Sequence, residues 1–311
     1  MRSAIVTSCG LLALVACSDS TAPPDSPAAA VRVAYLEVGG TTLQVVQEGM
    51  TPNPTSVQNA TPFAAIAGGL VLARQGGLSL YYLDGSSITV PAFVGFGSPG
   101  GATSPDGHRL AYSHHAGSEI FLHLLDLETG THDSIKVSGR QDVPAAVQIA
   151  GRRPVWSPSG DTIAFVLPNP IGVQLFLYEV ETARIEVFAV PVAVSTFARP
   201  LDGWPYWDPN GSLHFVAWQF DDDVPSDTLL VLRVFPRDRN RRAEVVHAAY
   251  TDSLPIQGGS SYSFSADGRT VALSVRAAGR SGIFLMHRGD RRLSPLVYGQ
   301  SREPAQPLLI P

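Results

Sequence analysis

The side chains that could carry out chemistry are scattered along this 311-residue sequence instead of being gathered in one motif. Its eight histidines include no His-x-x-x-His pair and no glutamate-containing zinc pattern. His114 and His115 are adjacent, and neighbouring side chains on an extended segment point in different directions. We therefore expect a solvated pair in a loop, and we predict neither a bound metal ion nor a cofactor.

Acidic and nucleophilic groups give equally little sign of a catalytic centre. The densest acidic cluster, Asp221 to Asp223, lies in a long predicted loop, but it lacks the glycine-punctuated spacing of a calcium-binding loop. A serine hydrolase needs a Gly-x-Ser-x-Gly elbow leading into a helix, whereas Gly258-Gly-Ser-Ser261 precedes a predicted strand. Both cysteines, Cys9 and Cys17, lie near the N-terminus, so no cysteine nucleophile is expected further along the chain.

One short phrase recurs four times and defines the elements that must position these residues. The copies begin at Ser104, Ser157, Asp208 and Ser265, at steps of 51 to 57 residues. Each copy reads Ser or Asp, then Pro (Ala in the last copy), any residue and Gly, followed by an alternating apolar strand. Proline presets the first central position of a turn, and glycine takes the left-handed site that closes it. The phrase is therefore a hairpin turn, and its period predicts a β-propeller.

The strands between the copies predict how many blades the propeller has. Residues 63–90 supply four strands without the phrase, and each copy of the phrase supplies a further blade. The C-terminal residues 303–311 resemble one inner strand without a partner, and residues 31–57 supply the missing strands. We expect an all-β, six-bladed propeller of four-stranded antiparallel blades over residues 31–311. Pairing of the N-terminal strands with the C-terminal strand closes this monomeric ring and removes free sheet edges.

The phrases resemble the propeller repeat of TolB and its relatives, including the propellers of prolyl-oligopeptidase-type enzymes. The resemblance is strongest at 104–113, 157–166 and 265–274, is fair at 208–217, and as an array covers nearly all of 31–311. It implies the fold and says little about function, because this propeller serves unrelated tasks. The peptidases that share it carry a separate hydrolase domain, whose nucleophile elbow does not occur here.

The N-terminal residues predict export. Arg2 precedes an apolar run from Ala4 to Ala16 that is too short to span a bilayer. Leu14-Val-Ala-Cys17 resembles the lipobox of bacterial lipoproteins, which implies acylation of Cys17; the alternative is an ordinary signal peptide in which Cys17 is incidental. Residues 18–30, rich in proline, serine and alanine, predict a flexible tether. We expect a lipid anchor in the bacterial cell envelope, and Ser18 favours the outer membrane, facing the periplasm or the surface.

Propeller geometry indicates where a ligand would bind. The loops that lead into the inner strands share one face of the ring with the loops between second and third strands. Arginine and aromatic side chains at a concave mouth suit recognition. The ligand-binding candidates on this face are Arg152, Arg153, Trp204, Tyr206, Tyr262, His114, His115 and Asp222. The alternative for the aromatic residues is packing between blades.

Three functional hypotheses follow. The first is a non-catalytic module that binds an envelope protein, peptide or glycan while the lipid anchor holds it at a membrane. The second is a glycan-active lyase or hydrolase that uses residues at the channel mouth. The third is a purely structural protein of the envelope. The formal net charge of −5 argues against general nucleic-acid binding, which needs a positive surface.

Overall fold

Twenty-six β-strands in six sheets, and no helix, make up the part of the chain that the computed structural model describes. The described residues are 31–37, 42–51, 53–74, 77–90, 100–141, 143–144, 149, 152–169, 172–191, 197–220, 229–238, 242–249, 256–277, 280–300 and 304–310. The predicted signal segment, Cys17 and the tether lie outside these ranges. In the same ranges no helix is long and apolar enough to cross a membrane.

The sheets are the six blades of a ring, numbered here in chain order. Blade 1 begins with β1 (Arg32–Glu37), β2 (Thr42–Gln47) and β3 (Asn53–Gln58). Blade 2 contains β4 (Ala60–Ile66), β5 (Gly69–Arg74), β6 (Gly77–Tyr82) and β7 (Ser87–Val90). Blade 3 contains β8 (Gly101–Thr103), β9 (Arg109–Ala116), β10 (Glu119–Asp126) and β11 (His132–Lys136).

The second half of the chain forms the other three blades. Blade 4 contains β12 (Pro154–Trp156), β13 (Thr162–Asn169), β14 (Gly172–Glu179) and β15 (Arg184–Val190). Blade 5 contains β16 (Phe197–Pro200), β18 (Tyr206–Trp207), β19 (Leu213–Phe220), β20 (Leu229–Val234) and β21 (Glu244–Ala249), with β17 (Asp202–Trp204) between β16 and β18 in the chain. Blade 6 contains β22 (Ile256–Phe264), β23 (Thr270–Ala277), β24 (Arg280–His287) and β25 (Ser294–Gln300), and β26 (Pro304–Ile310) ends the chain.

The predicted closure of the ring is confirmed. The C-terminal strand β26 is the inner strand of blade 1 and pairs antiparallel with β1, with Val33 opposite Leu309. The Leu309 amide also donates a hydrogen bond of 2.9 Å to Oγ of Ser263 in blade 6. The two ends of the chain are therefore joined through main-chain pairing, and the last blade is tied to the first.

The four phrases form the same turn, as their residues predict. In each copy the glycine amide donates to the carbonyl of the first residue, at 2.8 to 2.9 Å. The glycine φ angles lie between 66° and 87°, in the left-handed region. These glycines are Gly107, Gly160, Gly211 and Gly268. We call the side of the ring that carries these turns the turn face, and the opposite side the loop face.

Hydrophobic side chains fill the spaces between blades. The largest cluster joins blades 4, 5 and 6, and a second joins blades 3 and 4. Side chains also tie the inner strands together: Thr103 Oγ1 donates to the Ala65 carbonyl at 2.9 Å, and Trp156 Nε1 donates to the Ala102 carbonyl at 2.9 Å. The ring is thus held by packing and by hydrogen bonds between successive blades.

One element departs from the predicted pattern. The sequence predicts one inner strand for blade 5, but the structure divides it into β16 and β18, which both pair with β19. Between them β17 leaves the blade and pairs parallel with β22 of blade 6, with Gly203 opposite Tyr262. A Cβ on Gly203 would overlap the Tyr262 ring, so only glycine permits this close approach.

Candidate functional site

A buried ion pair lies at the middle of the ring. Arg153 precedes β12 in blade 4, and its Nη1 donates to Oδ2 of Asp202 in β17. The guanidinium carbon also lies 4.2 Å from the centroid of the Trp204 ring, which is a cation–π distance. The Arg153 side chain is 1% exposed, whereas that of Asp202 is 31% exposed. Burial lowers the pKa of Arg153, and the Asp202 carboxylate opposes that shift.

Trp204 connects the ion pair to the blades on the other side of the ring. Its Nε1 donates to the Gly101 carbonyl of blade 3 at 2.8 Å. Gly100 makes room for it, since a Cβ there would lie 2.9 Å from the Trp204 ring and 3.0 Å from the Phe63 carbonyl of blade 2. The indole packs in a hydrophobic cluster formed by blades 1 and 2, although Trp204 itself comes from the stretch between the two inner strands of blade 5. Trp204 therefore fills the space between opposite sides of the ring.

Three polar atoms in this central cluster are buried and have no hydrogen-bond partner. They are Arg153 Nε, Asp202 Oδ1 and Ser261 Oγ. Asp202 and Ser261 are opposite each other in the pairing of β17 with β22. A buried donor or acceptor without a partner costs about 1–3 kcal/mol, so such groups usually meet a water or a ligand. The donor on Arg153 and the acceptor on Asp202 together suit a hydroxyl group, which both donates and accepts.

The remaining candidates near the centre have different surroundings. Arg152 is half-buried next to Arg153, and its carbonyl accepts a hydrogen bond from Ser113 Oγ at 3.2 Å. Tyr262 is completely buried, and burial raises the pKa of its hydroxyl. Tyr206 lies away from the cluster on the turn face, where it packs against Gly268. Burial also raises the pKa of Tyr206.

The acidic and histidine candidates do not join this cluster. Asp222 lies outside the described residues. His115 is exposed near the end of β9. His114 instead meets His123, with 3.4 Å between His114 Nδ1 and His123 Nε2. Among the described residues, no group of three or more histidines, cysteines or carboxylates is placed to hold a metal ion.

Sequence reasoning did not single out Asp202 or the clefts of the turn face. A cleft of about 430 Å³ lies between blades 3 and 4, and another of about 290 Å³ lies between blades 4 and 5. Arg237 lines the second and donates to both Asp161 oxygens at 3.1 Å. The spacing of the phrases could have indicated these clefts, because each cleft lies where the phrase of one blade approaches the neighbouring blade. Asp202 carries no such signal, since its pairing with Arg153 depends on β17.

The sequence matches no protein-family model, and no curated protein matches it. Solved structures do match. TolB from Acinetobacter baumannii is similar at a TM-score of 0.62 and 16% identity, over 90% of this chain and 67% of that chain. A TolB candidate from Agrobacterium tumefaciens is similar at a TM-score of 0.55 and 15% identity, over 89% of this chain and 91% of that chain. The periplasmic gluconolactonase PpgL from Pseudomonas aeruginosa is similar at a TM-score of 0.52 and 12% identity, over 91% of this chain and 99% of that chain.

These similarities show the fold alone, because the identities are low and propellers of one architecture serve different functions. The resemblance of the phrases to the TolB repeat is confirmed at the level of structure. The described part of the chain is therefore a six-bladed β-propeller, similar in fold to TolB.

Proposed function

We propose that this protein is a lipid-anchored propeller of the cell envelope that binds a protein, peptide or glycan over the centre of its ring. The observation that carries the proposal is the central cluster, where Arg153 Nε, Asp202 Oδ1 and Ser261 Oγ are buried without partners. The Asp202 side chain is 31% exposed, whereas its Oδ1 is buried, so this acceptor is available to a group as small as a hydroxyl that enters the cluster. The hydroxyl groups of glycans and of serine or threonine side chains match the donor and acceptor at this point.

The rigid surroundings of the cluster support a binding role. Trp204 is held by its hydrogen bond to Gly101 and by the Arg153 guanidinium above its ring. Gly203 is held against Tyr262 by the pairing of β17 with β22. Polar groups that are already fixed lose little conformational entropy when a ligand binds, so a site of this kind favours affinity.

Photo-cross-linking tests the position of the binding surface. We expect a benzophenone amino acid at position 152, next to the cluster, to form an adduct with an envelope component in intact cells. The same group at Ser87, exposed at the start of the outer strand β7, serves as the control and is expected to form none. Protease or glycosidase sensitivity of the adduct identifies its class. Equal labelling from both positions, or none from position 152, would contradict the proposal.

The similarity of the N-terminal residues to a lipobox supports the membrane anchor, and the periplasmic location printed for PpgL is compatible with an envelope protein. We expect radiolabelled palmitate to be incorporated into the wild-type chain and not into Cys17→Ser. Cys9→Ser is the matched control and should retain the label. Export of each variant is measured alongside, because a chain that is not exported would not be acylated. Label that persists in Cys17→Ser would contradict acylation at Cys17, and absence of label from the wild type would contradict the anchor itself; neither result bears on the binding surface.

A sugar-active enzyme is the second candidate, favoured by the carboxylate of Asp202 lying beside the Arg153 guanidinium, with the Asp202 side chain 31% exposed. Gluconolactonase activity is a property of PpgL. For this chain it is a hypothesis, since 12% identity shows the fold alone. Turnover of sugar lactones or polysaccharides that is lost in Asp202→Asn would favour the enzyme. Retention of an adduct at position 152 without turnover would favour the binding module.

A further inference from the structure

Three aromatic rings are stacked on the face of blade 3 that is turned toward blade 2. The Tyr112 and His123 centroids are 4.8 Å apart with 18° between the ring planes. The His123 and His132 centroids are 4.7 Å apart with 14° between the planes. Phe63 of blade 2 packs edge-on against Tyr112. The stack fixes the plane of the His123 ring, and this residue is only 3% exposed.

Strand pairing places two further partners at the nitrogens of His123. Ser134 is opposite His123 in the pairing of β10 with β11, and its Oγ lies 2.9 Å from His123 Nδ1. His114, on β9, approaches the other side, and its Nδ1 lies 3.4 Å from His123 Nε2. If Nδ1 of His123 donates its proton to Ser134, then Nε2 presents a lone pair toward His114.

The separation of the two nitrogens is informative. At 3.4 Å the two nitrogens are at the long end of hydrogen-bonding distance, so a direct bond between them is weak. Two imidazole nitrogens that bind one tetrahedral ion at about 2.0–2.1 Å each lie about 3.4 Å from one another. The distance between His114 Nδ1 and His123 Nε2 therefore matches two ligands of a common metal ion.

We propose that His114 Nδ1 and His123 Nε2 together bind one divalent transition-metal cation, with Ser134 holding the His123 ring in the required tautomer. This site goes beyond the proposed binding function and does not use the central cluster. His132 is not taken as a ligand, since its ring is stacked face to face on the His123 ring and its Nε2 lies 3.0 Å from the Tyr112 hydroxyl. Because no group of three protein ligands occurs among the described residues, water or an external ligand completes the coordination.

The order of stability for nitrogen ligands predicts which ion binds most tightly. Copper(II) exceeds nickel(II) and zinc(II) at a given imidazole site, so it is the most sensitive probe. The separation of 3.4 Å suits a tetrahedral ion such as zinc(II), and the tetragonal geometry of copper(II) requires the two nitrogens to approach by about 0.5 Å. The hydrogen bond between His123 Nδ1 and Ser134 Oγ is the kind of outer-shell contact that orients histidine ligands.

Copper titration of the purified full-length chain tests the proposal. We expect copper(II) chloride to raise the melting temperature, reversibly with EDTA, and to give an electron paramagnetic resonance spectrum with two imidazole nitrogens. His114→Ala should lose one nitrogen from the spectrum and at least about tenfold in affinity, and Ser134→Ala should lose about 10- to 100-fold. His115→Ala is the matched control, because it removes the adjacent exposed histidine and should bind copper as the wild type does.

The outcome is decisive in either direction. A wild-type spectrum without two imidazole nitrogens at micromolar copper would overturn the proposal, and so would equal losses in His114→Ala and His115→Ala. Melting of each variant without metal shows whether it is folded. If His114→Ala does not fold, His114→Gln supplies the same comparison, since glutamine retains the length and polarity of the side chain without the imidazole ligand.

Discussion

Asp202→Ala will destabilise the propeller by about 3–5 kcal/mol, because it leaves the Arg153 guanidinium buried without its counter-charge. The Arg153 side chain is 1% exposed, so bulk solvent does not reach the guanidinium to replace the lost carboxylate. The loss should also release β17 from blade 6, since Asp202 is the first residue of the paired stretch. Chemical denaturation measured by circular dichroism gives the change in the free energy of unfolding.

Two comparisons show whether the lost counter-charge is the cause. Arg153→Met combined with Asp202→Leu should cost less than Asp202→Ala alone, because a buried ion pair can be replaced by apolar side chains at little cost. Glu244→Ala removes the partner of Arg233 in a more exposed pair, with 33% and 57% of the two side chains exposed. This control should change stability by less than about 1 kcal/mol. A double variant less stable than Asp202→Ala would contradict this explanation.

Acid will destabilise the ring through His123 and His214. Burial is the largest cause that lowers the pKa of each to about 4, while the unfolded histidines titrate near 6.5. Between these values the unfolded chain binds more protons than the folded chain, so stability is complete above pH 6.5 and falls as the pH drops toward 4. We expect about 2–3 kcal/mol lost per histidine between pH 7 and pH 4.5. Denaturation curves at a series of pH values measure this slope.

Substitution of the two histidines separates their effect from that of other groups. His214→Asn should flatten the dependence between pH 6.5 and 4.5, because the titrating group is gone. His108→Gln is the control, since His108 is exposed in a turn and its loss should leave the slope unchanged. Carboxylates such as Asp161, whose pKa is lowered well below its usual range, act at more acidic pH than this window. An unchanged slope in both His123→Gln and His214→Asn would contradict the prediction.

The repeated phrase was sufficient to predict the blades, because its chemistry is local. Proline and glycine determine the turn within five residues, and the four glycines have the left-handed φ angles that the sequence implies. The closure of the ring was also predictable. The C-terminal residues supply one inner strand without partners, and the N-terminal residues supply the strands that complete the same blade. These features required no knowledge of which side chains meet across the ring.

The central cluster could not be predicted because it depends on contacts between distant blades. Gly203 is an ordinary loop residue in the sequence, and only the Tyr262 ring against it explains why β17 crosses to blade 6. Arg153 and Trp204 were candidates for a ligand surface. The structure places both side chains in the interior. Their role in binding stays a prediction, and it depends on a ligand that contacts Asp202. His123 and His132 look like strand positions in the sequence, and only the register of blade 3 stacks their rings.

Electron density at the centre of the ring tests the account most directly. In a high-resolution crystal structure of the wild-type protein, we predict an ordered water or ligand hydroxyl bonded to Asp202 Oδ1. The same atom should also bond to Arg153 Nε or Ser261 Oγ. A dry cluster, in which these three atoms bond only to other side chains, would contradict the claim that the ring centre is a recognition point.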